Sequence, residues 1–161
     1  MKIKPSQSFA YCANAIINIQ ESDNIKTFLI TSSLRDVNKQ KHICESIQKS
    51  LILTGKKTLL IINDIEQDNE FSEIADDVMK INNLKKDIFE EILIKNASKY
   101  DIIMIFTPYL NRNIYSLQYA KCCDRLLLLE KYTSTTHKSF DEITELINQN
   151  NIKSSGVITY R

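Results

Sequence analysis

Few residues in this chain have the type and spacing that catalysis or metal binding demands. His42 and His137 stand far apart, and neither belongs to a recognisable ligand pattern, so neither receives a catalytic role. The four cysteines, Cys12, Cys44, Cys122 and Cys123, lack the paired Cys-x2-Cys spacing of a zinc site. The vicinal Cys122-Cys123 reads as two small, buried apolar residues closing a helix, in preference to a redox couple. No signal segment precedes these thiols, so they are expected to be reduced and the chain to be cytoplasmic. What remains is a set of polar residues that end apolar runs: Ser32-Ser33, Asn63-Asp64, Thr107-Pro108 and Glu130.

Those residues gain meaning from the elements that carry them. Short apolar runs predict strands over 27–32, 58–63, 101–106, 125–130 and 156–160. Between them lie helical patterns. Ile43, Ile47 and Leu51 recur every fourth residue, and Gly55 follows where a glycine ends a helix. Leu84, Ile88 and Ile92 mark a second helix, Ile114 and Leu117 a third, and Phe140, Ile143 and Ile147 a last one that opens on the capping signature Ser139-x-x-Glu142. The polar stretch 66–83 reads as a loop, with one short helix near 74–79. Ile102-Ile103-Met104-Ile105-Phe106 is apolar without alternation, as in a strand covered on both faces. Strands separated by helices describe an α/β domain with a mostly parallel sheet. Its strand carboxyl ends then share one edge, where ligands of such sheets bind.

The 161 residues suit one domain. A net charge of +1 with no clustered basic stripe argues against a nucleic-acid partner. No apolar run approaches the roughly 20 residues of a membrane span, so direct membrane insertion is not expected.

Several phrases occur in a telling order. Phe28-Leu29-Ile30-Thr31-Ser32-Ser33 is followed by Thr54-Gly55-Lys56-Lys57-Thr58-Leu59-Leu60-Ile61. Tyr100-Asp101-Ile102-Ile103 then leads to Thr107-Pro108, and Ser116-Leu117-Gln118, Ala120-Lys121, Asp124 and Gly156-Val157-Ile158 complete the series. Over nearly its whole length the chain resembles the cytosolic kinase domain of bacterial capsule and exopolysaccharide tyrosine kinases, cousins of the ParA/MinD-type ATPases. The resemblance implies a three-layer, Rossmann-like P-loop NTPase fold, here shortened between Asp64 and Tyr100.

The same resemblance locates losses. The family's first strand enters a Gly-x-Gly-Lys-Ser/Thr phosphate loop, whereas here it enters Leu34-Arg35-Asp36-Val37-Asn38-Lys39-Gln40. Lys39 matches the phosphate lysine and Gln40 the magnesium-binding hydroxyl. Asp36 and Asn38 replace both glycines. Of the family's Asp-x-Asp only Asp64 survives, Ile62 standing for the first acid, and Phe106 replaces the aspartate before Thr-Pro. Glycines let backbone N–H groups converge on phosphate at no conformational cost. Magnesium requires hard oxygen ligands, which Ile62 and Phe106 lack. Asp36 sets a like charge beside any phosphate, worth several kcal/mol at about 4 Å in an effective dielectric near 20.

The stretch 10–20, where family members carry a glutamate and two arginines for oligomer contacts, has neither residue type. The family's tyrosine-rich tail is not found after Tyr160. The expectation is therefore an inactive relative with no catalytic residues, no metal site and no cofactor. Lys39, Gln40 and Asp64 are its vestigial nucleotide-binding positions. Its implied partner is a cytosolic segment of a membrane polysaccharide co-polymerase, or a kinase paralogue, through which it would reach the inner face of the membrane. The alternative is a weak nucleotide-binding tyrosine kinase or ATPase that uses Lys39 with ATP and magnesium.

Overall fold

Strands that are apolar on both faces need cover on both faces, and they receive it. The computed structural model describes residues 5–34, 36–132 and 136–161. Helix α1 (Pro5–Asp23) precedes β1 (Thr27–Thr31); α2 (Val37–Leu53) and β2 (Thr58–Asn63) follow. Then come β3 (Val78–Ile81), α3 (Lys86–Ala97), β4 (Ile102–Phe106), α4 (Ile114–Cys122), β5 (Arg125–Lys131), α5 (His137–Gln149) and β6 (Ser154–Tyr160). The strands form one sheet in the order β3-β2-β4-β1-β5-β6, each pair parallel. Side-chain alternation sends Phe28, Ile30, Leu60 and Met104 to one face, under Ile16 of α1 and Ile43, Ile47 and Leu51 of α2. Leu29, Leu59, Ile61, Ile103 and Ile105 meet Phe89 of α3, Tyr119 of α4 and Ile143 and Ile147 of α5 on the other. The expected α/β fold with its parallel sheet is thus present, and all five expected strands fall within a residue or two of their places.

The segment read as a loop with a short helix is corrected. Val78–Ile81 is a sixth strand, pairing Leu60 with Val78 through Asn63 with Ile81. Asp76 and Asp77 adopt φ of 53° and 59°, and Ala75 and Val78 exchange both backbone hydrogen bonds across them. Two successive left-handed residues make a hairpin turn, which aspartate tolerates better than most side chains. A helix over 74–79 cannot pass through such a turn. The residues before it then fold back over the sheet's β3 edge, where Phe71 bridges Ile81.

Two helix ends also follow local chemistry. After α2, Gly55 takes φ 91°, its N–H bonds Ile52 O and the Lys56 N–H bonds Leu51 O. This is a Schellman closure, as the glycine's position predicted. The capping residue of α5 is Thr136, whose hydroxyl accepts the Ser139 N–H at 3.2 Å. Ser139 therefore lies inside the first turn, and the signature that names it as the cap is displaced by one turn. Cys122 and Cys123 close α4 as expected, although both are half-buried rather than buried. Burial and the neighbouring Glu90 push the Cys122 thiol up to about 11, and burial also raises Cys123. Neither thiol is an activated nucleophile.

The amino ends of the strands are braced by carboxylates. Asp124 Oδ2 accepts the N–H groups of Lys26 and Thr27, both at 2.9 Å, and its own N–H bonds Thr27 Oγ1 at 2.8 Å. Asp101 Oδ2 takes the Lys57 N–H at 2.8 Å in the same manner. Burial alone would raise the Asp124 pKa, but the Thr27 and Lys26 N–H groups and nearby Arg125 bring it below the usual range. With the folded-state value below the unfolded one, this carboxylate's contribution is complete above the ordinary aspartate range. It is lost as pH falls through the folded-state value. Asp124→Asn should cost about 1 kcal/mol at pH 7, given partial solvent screening. Urea unfolding should show the gap from wild type closing under strongly acid conditions. On the opposite helix layer, Phe89 stacks on Tyr119 with ring centroids 4.0 Å apart, both rings fully buried. Phe89→Ala should lower unfolding free energy by about 3 to 4 kcal/mol, read from the same urea titrations.

Candidate functional site

The carboxyl ends of β2 and β4 and the start of α2 line a cleft of 280 Å³. Its walls include Asp36, Asn38, Lys41, Asn63, Asp64 and Tyr109. This is the edge at which parallel α/β sheets bind ligands, and the chain reaches it with polar residues because its strands are otherwise apolar.

The three vestigial positions do not converge there. Lys39, in the first turn of α2, is exposed and turns toward β6: its ammonium donates to the Arg161 carbonyl and lies 5.6 Å from the centre of the Tyr160 ring. Gln40 is fully buried, and its amide faces Tyr160 Oη at 3.3 Å and the Leu34 carbonyl at 3.4 Å. Asp64 does line the cleft, but both its oxygens are engaged. Oδ2 lies 3.3 Å from Lys41 Nζ and Oδ1 accepts the Glu66 N–H at 3.2 Å. Ile62 and Phe106 are buried in the core.

The loop after β1 is likewise occupied by its own side chains. The Ser33 N–H and hydroxyl donate to the two oxygens of Glu130, at 3.1 and 2.8 Å. The Leu34 N–H donates to Ser32 Oγ at 3.1 Å. Arg35, inside the 34–40 segment expected to form no phosphate nest, lies outside the described residues. Asp36 stands at the cap position of α2 without capping it; its carboxylate accepts the Tyr160 hydroxyl at 3.1 Å and lies 3.9 Å from Lys131 Nζ. Burial raises the Tyr160 phenol to about 12, with Asp36 adding to the rise, so it remains a donor at neutral pH.

Beside the loop, a second polar network spans β2, β4 and α4. Asn63 Nδ2 donates to Asn83 Oδ1 at 3.0 Å and Thr107 Oγ1 at 3.2 Å, and Asn63 Oδ1 accepts the Asn83 N–H at 2.9 Å. Thr107 meets Ser116, whose hydroxyl also contacts the Pro108 carbonyl at 2.8 Å. Buried polar groups satisfied by each other hold a single geometry and have little left to offer a ligand.

Tested against magnesium and a nucleotide, these residues do not fit. The loop's Ser33 and Leu34 N–H groups are spent on Glu130 and Ser32. The matching lysine points elsewhere, the residual carboxylate is neutralised, and no group of three or more metal-ligating side chains occurs among the described residues. Sequence reading missed Lys41 as the cleft's cation. Its signal was helical: Asn38 and Lys41 lie three residues apart on one face, while Lys39 faces away. Glu130 was recognised as an edge residue but given no role, because its partner lies 97 positions away.

Neither a protein-family model nor a curated protein matches this sequence. Solved structures match in fold. The chimerical protein CapA2B2 superposes with a TM-score of 0.78 at 14% identity, over 98% of this chain and 85% of that one. The kinase domain of the Escherichia coli tyrosine kinase ETK gives 0.73 at 12% identity, over 93% of this chain and 74% of that one. The MinD cell division protein of Aquifex aeolicus gives 0.63 at 17%, over 84% and 69%. The chain thus carries a three-layer, parallel α/β fold similar to that of the ETK kinase domain and MinD.

Proposed function

We propose that this chain is a non-catalytic relative of the polysaccharide tyrosine kinases that acts by binding a protein partner. The observation that carries the reading is the fate of Lys39. The one residue matching a phosphate-binding lysine is held by the Arg161 carbonyl and the Tyr160 ring, on the β6 side of α2. Phosphoryl transfer rests on positioning and charge neutralisation, and here Lys39 points away from the cleft while the cleft's Lys41 is paired with Asp64. The cofactor proposed is accordingly none.

The partner class follows from the fold likeness. A cytosolic segment of a membrane polysaccharide co-polymerase, or an active kinase paralogue, is the partner class that the likeness to kinase domains supports. No helix among the described residues is long and apolar enough to cross a membrane, so recruitment to one would proceed through that partner. Titrating purified candidate segments and paralogues into the chain should yield binding that nucleotide does not alter; failure of both classes to bind would remove the partner assignment.

Calorimetry with Mg-ATP should give no binding heat, and a radiolabelled phosphate assay neither hydrolysis nor autophosphorylation above background. Lys39→Ala should leave both results unchanged. Micromolar affinity that needs magnesium and disappears in Lys39→Ala would overturn the reading and restore the kinase alternative.

A further inference from the structure

We propose that the free edge of β6 docks one extended segment of a protein partner, apolar in its middle and acidic at both ends. The inference rests on the partner-binding reading above and names where the partner sits and what it presents.

The sheet treats its two edges differently. Along β3 the chain guards its own edge. Residues 70–72 run antiparallel to that strand, the Ser72 N–H donating to the Lys80 carbonyl and the Asn82 N–H to the Glu70 carbonyl, both at 2.8 Å. Lys80 adds an exposed charge within the strand. Cover and an edge lysine are how sheets exclude stray strands. β6 has neither. It pairs with β5 alone, runs for seven residues, and contains no charged residue and no proline over Ser154–Tyr160. On the β5 side the Tyr160 carbonyl accepts the Tyr132 N–H. In a parallel ladder alternate residues bond the same neighbour, so Val157 and Thr159 turn their N–H and C=O groups away from β5. Among the described residues no strand takes them up.

Beside that edge lies a groove of 370 Å³, between Tyr11, Cys12, Ala15 and Ile19 of α1 and Gly156 and Ile158 of β6. Gly156 leaves its floor bare: a Cβ there would meet nothing within 4 Å. On the other face of the strand, opposite Leu128, Val157 is 46% exposed. A strand added to β6 would send alternate side chains into the groove and to the side of Val157. Both rows favour apolar, β-branched residues.

Charge decides the occupant. Lys153 and Arg161, both exposed, flank the strand at its two ends, and no carboxylate lines the groove. A second copy paired antiparallel about a two-fold axis at Val157 would set Lys153 of each chain against Arg161 of the other. Like charges facing each other across strands oppose pairing. The same two cations favour an incoming segment with a carboxylate near each end. Main-chain hydrogen bonds supply its affinity, the groove and the flanking cations its specificity.

The probe is a fluorescent peptide of alternating valine and threonine with aspartates at both ends, titrated into the full chain by anisotropy. The same peptide with lysines at both ends should bind about tenfold more weakly. In Lys153→Glu with Arg161→Glu that preference should invert. Methylating the peptide's backbone nitrogens should abolish binding. Amide exchange followed by NMR should slow at Val157 and Thr159 when the peptide is bound, and should stay fast in the free chain at every protein concentration. No binding, equal binding of the two peptides, a preference unmoved by charge reversal, binding of the methylated peptide, or protection only elsewhere would each overturn the proposal. Concentration-dependent protection without peptide would make the occupant a second copy and overturn it too. Should the charge-reversed chain not fold, sodium chloride added to wild type replaces it: the preference should fade with salt, and one that persists overturns the proposal. A co-polymerase segment or kinase paralogue that binds without slowing exchange at Val157 and Thr159 sinks the β6 edge alone. Peptide binding with failure of both those classes sinks the assigned partner class alone.

Discussion

β1 lies between β4 and β5 with helices over both of its faces, so the chain leaving it is still buried at Thr31 and Ser32 before it reaches the half-buried loop from Ser33. Any polar group there must find a partner within the protein. In a phosphate-binding member of this architecture a ligand supplies those partners. Here they are supplied by Glu130, Ser32, Tyr160 and Leu34, each reaching the loop from the chain itself. Side chains at the carboxyl edge of the sheet thus satisfy several of its donors, while the Thr31 hydroxyl and the Gln40 amide oxygen have no partner among the described residues.

The same constraint accounts for the asymmetry between the sheet's two ends. At the amino edge Asp124 and Asp101 accept strand N–H groups in places open to solvent, where a lost bond is partly replaced by water. At the carboxyl edge Asn63, Thr107 and Ser116 are buried and bond one another. A change there leaves a partner stranded, so this end tolerates substitution least.

Much of the architecture could be read from the chain because it is written in local periodicity. Strands covered on both faces show continuous apolar runs, and α2 shows its spacing at Ile43, Ile47 and Leu51 and its stop at Gly55. The exceptions are equally physical. β3 is four residues long and carries Lys80 outward, too short for its alternation to stand out, and its register is set by an Asp76-Asp77 turn whose left-handed backbone is rare for aspartate. The cap of α5 went to the nearest hydroxyl able to reach the free N–H groups, one turn ahead of the marked serine. At the candidate site the residue types spoke clearly for lost glycines and acids. The direction of Lys39 and the role of Glu130 did not, because each depends on a residue about a hundred positions distant.

That distance has a consequence for how the molecule comes together. Gln40 and Tyr160 are separated by 120 positions, and Asp36 and Tyr160 by 124. β1 does not pair with β2, the next strand in the chain, but with β4 and β5. Closing such contacts early is entropically expensive, and topologies rich in them fold slowly. β4 and β5, which flank β1, and the helices α4 and α5 all lie beyond residue 100, so the centre of the sheet also waits for the later part of the chain. The loop after β1 obtains its final partners only when β6 docks and brings Tyr160 to Gln40 and Asp36. The part of the molecule most like an active site thus depends for its final contacts on the last strand of the chain.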